Sequence, residues 1–181
     1  MAKTIKIISL ILTLVFIGLF IPNFFYENDV LLSLTITVGV FAYHFLMRLA
    51  VGIITNAIMK NKANYQAWWF KEKSFEQKLY NLIRVKKWKK YMPTYSPDTF
   101  DVKKHSLDEI VSATCQSEVV HEIIIILSYL PILLCIPFGT LGVFIATSVF
   151  ASLIDLVFVI MQRFNRPRLI KLIEIKNKKT V

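Results

Sequence analysis

The sequence predicts an all-α integral membrane protein: four transmembrane helices, plus an interfacial amphipathic helix in a long cytoplasmic loop. Three observations lead there. Hydrophobic residues make up 55% of 181, and the mean hydropathy is +0.55, more apolar surface than a soluble domain of this length can hide. Four segments are apolar for long enough to cross a hydrocarbon core of about 30 Å. The 22 basic residues avoid two of the connections between those segments.

The first span is expected at about residues 5–25. Lys3 and Lys6 precede it as in a signal peptide, but Pro22, Asn23, Phe24 and Phe25 offer no small-residue cleavage site, so the segment reads as an uncleaved anchor. The second span, about 30–59, is interrupted only by His44 and Arg48. A cytoplasmic loop occupies about 60–105. The third span, about 107–137, opens on Ser106-Leu107-Asp108-Glu109, a capping box with Ser106 as N-cap. The fourth, about 141–163, contains Asp155, and Pro167 is expected to stop it soon after. A cytoplasmic tail, about 164–181, completes a single membrane domain.

The basic residues orient these spans. Two precede the first span, twelve lie between Lys60 and Lys104, seven run from Arg163 onward, and Arg48 is the remaining one. The connections Tyr26–Asp29 and Pro137–Thr140 have none. This positive-inside pattern predicts a multi-pass membrane protein with both termini in the cytoplasm. It also places the net charge of +10 beside anionic headgroups. Nucleic acid is not an expected partner, because no binding module is recognisable and the basic loop is tethered. Cys115 and Cys135 lie on one apolar segment, so a disulfide between them is not expected.

The long loop reads as membrane-associated. Trp68, Trp69 and Phe70 suit the headgroup level. Ser74 with Gln77 has the spacing of a second capping box. Phe75, Leu79, Leu82 and Ile83 recur on one helical face.

Ionisable side chains inside spans are costly, which makes them candidates for function. At ~1.5 Å per residue, His44 and Arg48 lie ~21 and ~27 Å from the outer end of their helix. Glu118 and His121 lie ~25–30 Å in, and Asp155 ~21 Å. Three helices therefore bring polar groups to one depth, just above Gln162, Arg163, Asn165, Arg166 and Arg168. His44 and Arg48 share a face, and Thr114, Glu118, His121 and Glu122 form a stripe. The expected construction is a polar cavity open to the inner leaflet. Mutual neutralisation of Arg48 and Asp155 explains that pair equally well.

Three segments carry a resemblance. They are Val85-Lys86-Lys87-Trp88-Lys89-Lys90, the Thr114–His121 stretch read as T-x-x-x-E-x-x-H, and Gln162-Arg163-Phe164-Asn165-Arg166-Pro167-Arg168-Leu169. Over about Trp68 to Leu172 the chain resembles the glycosyl-4,4'-diaponeurosporenoate acyltransferase (CrtO) family of small bacterial membrane proteins. It departs from that family's pattern at Ala113, Gln116 and Glu122. The resemblance implies transfer of a fatty acyl group to a sugar hydroxyl of a glycosylated, carotenoid-like lipid.

Such a reaction needs a base, an oxyanion donor and a positioned acyl donor. His121 is the expected base, because imidazole titrates near neutral pH, with Glu118 one turn back to orient it or hold its proton. Asn165 and Gln162 are expected to face a developing oxyanion. Arg163, Arg166 and Arg168, with His44, Arg48 and Trp88, are expected to hold substrate; guanidinium suits phosphate or carboxylate. No cofactor and no metal are expected. The partners are membrane lipids, a lipid acceptor and an acyl donor such as acyl-CoA or acyl carrier protein. No G-x-S-x-G elbow is present and Cys115 lies off the polar stripe, so transfer is expected to be direct, with no acyl-enzyme. Two other readings stand beside this one: a lipid-binding or partner-stabilising subunit without activity, and a metal-dependent enzyme using His44, Glu118, His121 and Asp155.

Overall fold

The computed structural model describes residues 2–26, 28–93, 97–139 and 141–180. Glu27 and Thr140, in the two short connections, lie outside the described residues. Helix α1 is Ala2–Phe25 and α2 is Asp29–Met59. The loop carries short helices α3 (Glu76–Leu82) and α4 (Val85–Trp88); α5 is Leu107–Leu127, α6 is Cys135–Phe138 and α7 is Leu141–Thr180. Four helical segments are long and apolar enough to span a membrane: Ala2–Phe25, Asp29–Met59, Leu107–Phe138 and Leu141–Lys178. The protein is an all-α integral membrane protein. Below, the basic end is the end that carries the long loop, and the short-loop end is its opposite.

Helix α1 packs on α2, α2 on α5, and α5 on α7. The α1–α2 approach is closest at Gly39, where a Cβ would come within 2.8 Å of the Phe16 ring. Helix α2 begins at Asn28, whose side chain accepts hydrogen bonds from the amides of Val30 and Leu31, as an N-cap must. Its end turns through Lys60 at φ 49°. Gln116 fastens that end by accepting from the Asn61 amide at 2.7 Å and donating to Asn56 at 3.1 Å. This gives a structural role to one of the positions where the chain departs from the family pattern.

The Ser106 capping box forms, with Glu109 accepting from the Ser106 amide at 2.8 Å. The third span differs from one continuous helix. Helix α5 ends at Leu127, and a 3₁₀ segment, Leu130–Leu134, leads into α6. Pro131 has no amide hydrogen to give the Leu127 carbonyl. The Tyr43 hydroxyl on α2 donates to that carbonyl instead, at 2.8 Å, so a break inside an apolar segment leaves no orphan acceptor there.

Two further expectations are corrected. Pro167 does not stop the last helix; α7 continues through it to Thr180, with the side chains of Arg163 and Arg166 anchored in the turn just before it. Ser74 does not cap the loop helix. Phe75 is the N-cap with no side-chain bond, and Gln77 donates to Glu72. The amphipathic segment is also two short helices, broken at Arg84, whose φ is 53°. Phe75 and Leu82 are exposed, while Tyr80 and Val85 pack on Phe164 of α7.

Candidate active site

The polar side chains expected to share one cavity divide into two networks. The first centres on His121. Its Nδ1 lies 2.8 Å from Oδ1 of Asp155. A carboxylate only accepts, so this pairing puts the imidazole proton on Nδ1 and the lone pair on Nε2. The ring stacks on Phe158, with centroids 4.7 Å apart and planes 8° from parallel. One hydrogen bond and one stacked face thus fix the imidazole. Nε2 makes no hydrogen bond to a described residue, and the side chain is 21% exposed.

Asp155 is itself held. Its Oδ2 accepts from Arg48, which also donates to the Ala151 carbonyl at 3.2 Å and the His44 carbonyl at 3.0 Å. Arg48 thereby ties α2 to α7 and neutralises a carboxylate that is almost wholly buried. The buried charge is paired and multiply hydrogen-bonded, the condition for tolerating it at membrane depth.

The second network centres on Glu118, which is fully buried. Oε1 accepts from Arg163 at 2.5 Å and Oε2 accepts from Arg166. Arg163 also donates to Glu76 at 2.6 and 2.9 Å and to the carbonyls of Trp69 and Lys71. Arg166 reaches Thr114 at 3.2 Å and the Phe70 carbonyl at 3.1 Å, over the Phe70 ring. Two guanidinium groups and two carboxylates pin the Trp69–Glu76 stretch of the loop against α5 and α7. Glu118 therefore does not orient His121: both its oxygens are spent on arginines. Arg166 is 1% exposed and its donors are committed to Thr114 and Glu118 on α5 and to the Phe70 carbonyl of the loop, so it is a clamp and not a hand for substrate. Arg163 does the same work at the rim.

The clamp sets the chemistry of Tyr80. Its hydroxyl donates to Glu76 at 2.7 Å. Burial first, then that carboxylate, hold the phenol well above its ordinary range. Glu122 accepts from the Trp69 indole at 3.0 Å, adding a further tie between loop and helix.

The remaining candidates sit toward the basic end. Asn165 lies two turns from Phe158, on the same side of α7, and its Oδ1 accepts from Lys89 at 2.6 Å. That bond leaves the Asn165 amide hydrogens as donors. Arg168 stacks 3.7 Å over the Phe164 ring. Burial, then the charges of Arg168 and Lys86, lower Lys89 from the ordinary lysine range. Trp88 donates to the Ile83 carbonyl at 2.9 Å and packs with Tyr80, Val85 and Phe164. Gln162 is buried and donates to Ser117 at 3.1 Å, so it braces α5 against α7. His44 is buried next to the Arg48 bridge, and neither ring nitrogen has a partner. Cys115 is fully buried, and both cysteines are free. Among the described residues no three His, Cys, Asp or Glu side chains gather as a metal-ligand group.

A family model described as glycosyl-4,4'-diaponeurosporenoate acyltransferase, CrtO, matches residues 66–175, well over half of the chain. The chain belongs to the CrtO family. No curated protein and no solved structure matches it. The matched CrtO region begins in the clamped loop and ends on α7, so it holds both networks except Arg48. CrtO is a family of acyltransferases.

The sequence pointed to Asp155 as a polar group at the shared depth, a counterion for Arg48 or a metal ligand, but not as the partner of His121 in this CrtO site. As the one acid in an apolar span it had to face a cation or an imidazole, and it faces both. Glu76 gave no signal, because an acid in the first turn of a surface helix is ordinary.

Proposed function

We propose that the chain is a membrane acyltransferase that moves a fatty acyl group from an activated donor to a sugar hydroxyl of a glycosylated lipid, at the cytoplasmic leaflet. The observation that carries this reading is the His121–Asp155 pair, its imidazole fixed by one hydrogen bond and one stacked ring, with Nε2 left unengaged. The charge distribution supports a cytoplasmic basic end and two cytoplasmic termini. Exposed Phe75, Leu82 and Trp68 support a loop resting at headgroup level.

Nε2 of His121 takes the proton from the sugar hydroxyl as its oxygen attacks the acyl carbonyl carbon. Asp155 stabilises the imidazolium so formed, and Arg48 holds Asp155 in place. Asn165 lies two turns of α7, about 11 Å, from Phe158, so its amide hydrogens, aimed by the bond from Lys89, are left for the acyl donor at the basic end. The tetrahedral intermediate collapses by breaking the bond to the donor's sulfur or oxygen. The leaving group recovers its proton from His121. Lys89 and Arg168 at the basic end suit the phosphates of a donor such as acyl-CoA, or the phosphopantetheine arm of a carrier protein. No side chain becomes acylated.

Comparative mass spectrometry of lipids and pigments from cells with and without the gene tests the reading. It predicts one ester of a glycosylated lipid that disappears with the gene and returns with it. An unchanged lipid profile in cells that express the chain would favour a non-enzymatic subunit.

A further inference from the structure

Between α2 and α7, at the short-loop end, lies a groove of about 340 Å³. Its walls include Leu32, Ile36, Val40, Phe41, Val143 and Phe144. Thr37 and Thr147 also line it, but their hydroxyls are spent on carbonyls of their own helices, at 2.8 and 2.9 Å. Asp29 and Ser33 line it too, Asp29 in the first turn of α2 at the short-loop end, so the groove offers mostly hydrocarbon on both sides.

What lies next to it separates this groove from an ordinary lipid-facing surface. One turn toward the basic end, Val40 is followed by His44 and Phe144 by Ser148. Both ring nitrogens of His44 and the Ser148 hydroxyl are buried without a hydrogen-bond partner. Buried polar atoms in a native fold are nearly always paired, and at membrane depth no bulk water is present to pair them. One turn further on, Arg48 bridges to Asp155 and Ala151, and Asp155 holds His121. Along the α2–α7 seam the order is apolar groove, unpaired polar step, catalytic pair. A glycolipid has the same order: hydrocarbon chain, oxygen-bearing linkage, sugar.

We propose that the groove seats the hydrocarbon chain of the lipid acceptor, and that His44 and Ser148 receive an oxygen of the linkage joining the chain to its sugar. The imidazole offers one donor and one acceptor, and the hydroxyl offers either, so an ether, ester or hydroxyl oxygen finds a partner there. Val40 lies about 12 Å along the helix from Arg48 at ~1.5 Å per residue. A chain must be long to fill the groove while its sugar stays at His121.

The inference rests on the glycolipid acyltransferase reading, and its test fails separately from it. The full chain in nanodiscs is given hexadecyl glucoside or octyl glucoside as acceptor. Thr147→Trp and Ile36→Trp fill the groove from its two walls without touching the polar step. Each should slow transfer to hexadecyl glucoside by about tenfold or more, with the octyl rate kept within about twofold. Equal loss on both acceptors, or no loss on either, overturns the seat. In a second arm, hexadecyl glucoside with a diazirine at the chain end should label residues 32–41 and 138–147, and unlabelled hexadecyl glucoside should suppress that label. Labelling spread evenly over α1, or matched by a diazirine-tipped phosphatidylcholine, overturns it. If the wild-type chain acylates neither glucoside, the proposed activity falls, and the labelling arm still decides the groove.

Discussion

Nδ1 of His121 lies 2.8 Å from Oδ1 of Asp155, across the interface of α5 and α7. This one relationship reorganises the site. It gives the imidazole a fixed tautomer, and it ties the histidine through Asp155 to Arg48 on a third helix. Glu118, which accepts from Arg163 and Arg166, makes no such bond to His121. In the proposed mechanism acid–base work falls to one network and loop anchorage to the other.

Asp155→Asn should lower kcat by about 10²-fold or more, because the neutral amide no longer supports the imidazolium. KM for the acyl donor should change little, since donor groups lie toward the basic end. Steady-state kinetics on purified protein read both constants. A normal kcat would mean that Asp155 serves Arg48 alone.

Glu118→Gln should act on stability first. It leaves Arg163 and Arg166 without their shared carboxylate, and breaking a buried pair costs about 3–5 kcal/mol. Thermal unfolding in detergent should shift down. Amide exchange should rise across the Trp69–Glu76 stretch that the two arginines hold. A variant with unchanged unfolding and exchange but no activity would restore Glu118 to the chemistry.

Tyr80 gives the clamp an alkaline limit. Its pKa in the folded state is raised by burial and by Glu76, so between the unfolded value of about 10 and the folded value the unfolded chain binds fewer protons. Stability from this group is complete below about pH 10 and is lost as pH rises toward the folded value. Tyr80→Phe should remove that part of the slope. The difference in unfolding midpoint between wild type and variant, followed from neutral to alkaline pH, measures it; parallel curves would exclude it.

Tyr43→Phe should cost about 1–3 kcal/mol, the price of leaving the Leu127 carbonyl unpaired where the helix breaks. Unfolding of the variant in detergent reads the loss. An unchanged midpoint would show that the carbonyl finds another donor.

The bundle was legible because hydropathy and basic residues are one-dimensional signals. Span lengths and the Ser106 cap needed nothing from the rest of the fold. Pairing was not legible. Glu118 and His121 sit one turn apart on α5, and spacing alone suggests that they act together. Their partners arrive from α7, where Asp155 and Arg163 are eight residues apart and face different neighbours. The rotation of α7 against α5 decides which acid meets which base, and no local pattern encodes it. The course of α7 past Pro167 was hidden for the same reason: anchorage at Arg163 and Arg166 comes from the loop and α5, not from the helix's own sequence.

The most direct test of the central claim is acyl transfer by His121→Ala. The purified variant in nanodiscs receives a labelled acyl donor and a glycolipid acceptor, and ester formation is measured next to its unfolding midpoint. The account predicts a loss of about 10²–10⁴-fold, the range expected for a general base, in a chain that inserts and unfolds like wild type. A His121→Ala variant that forms ester at the wild-type rate would contradict it.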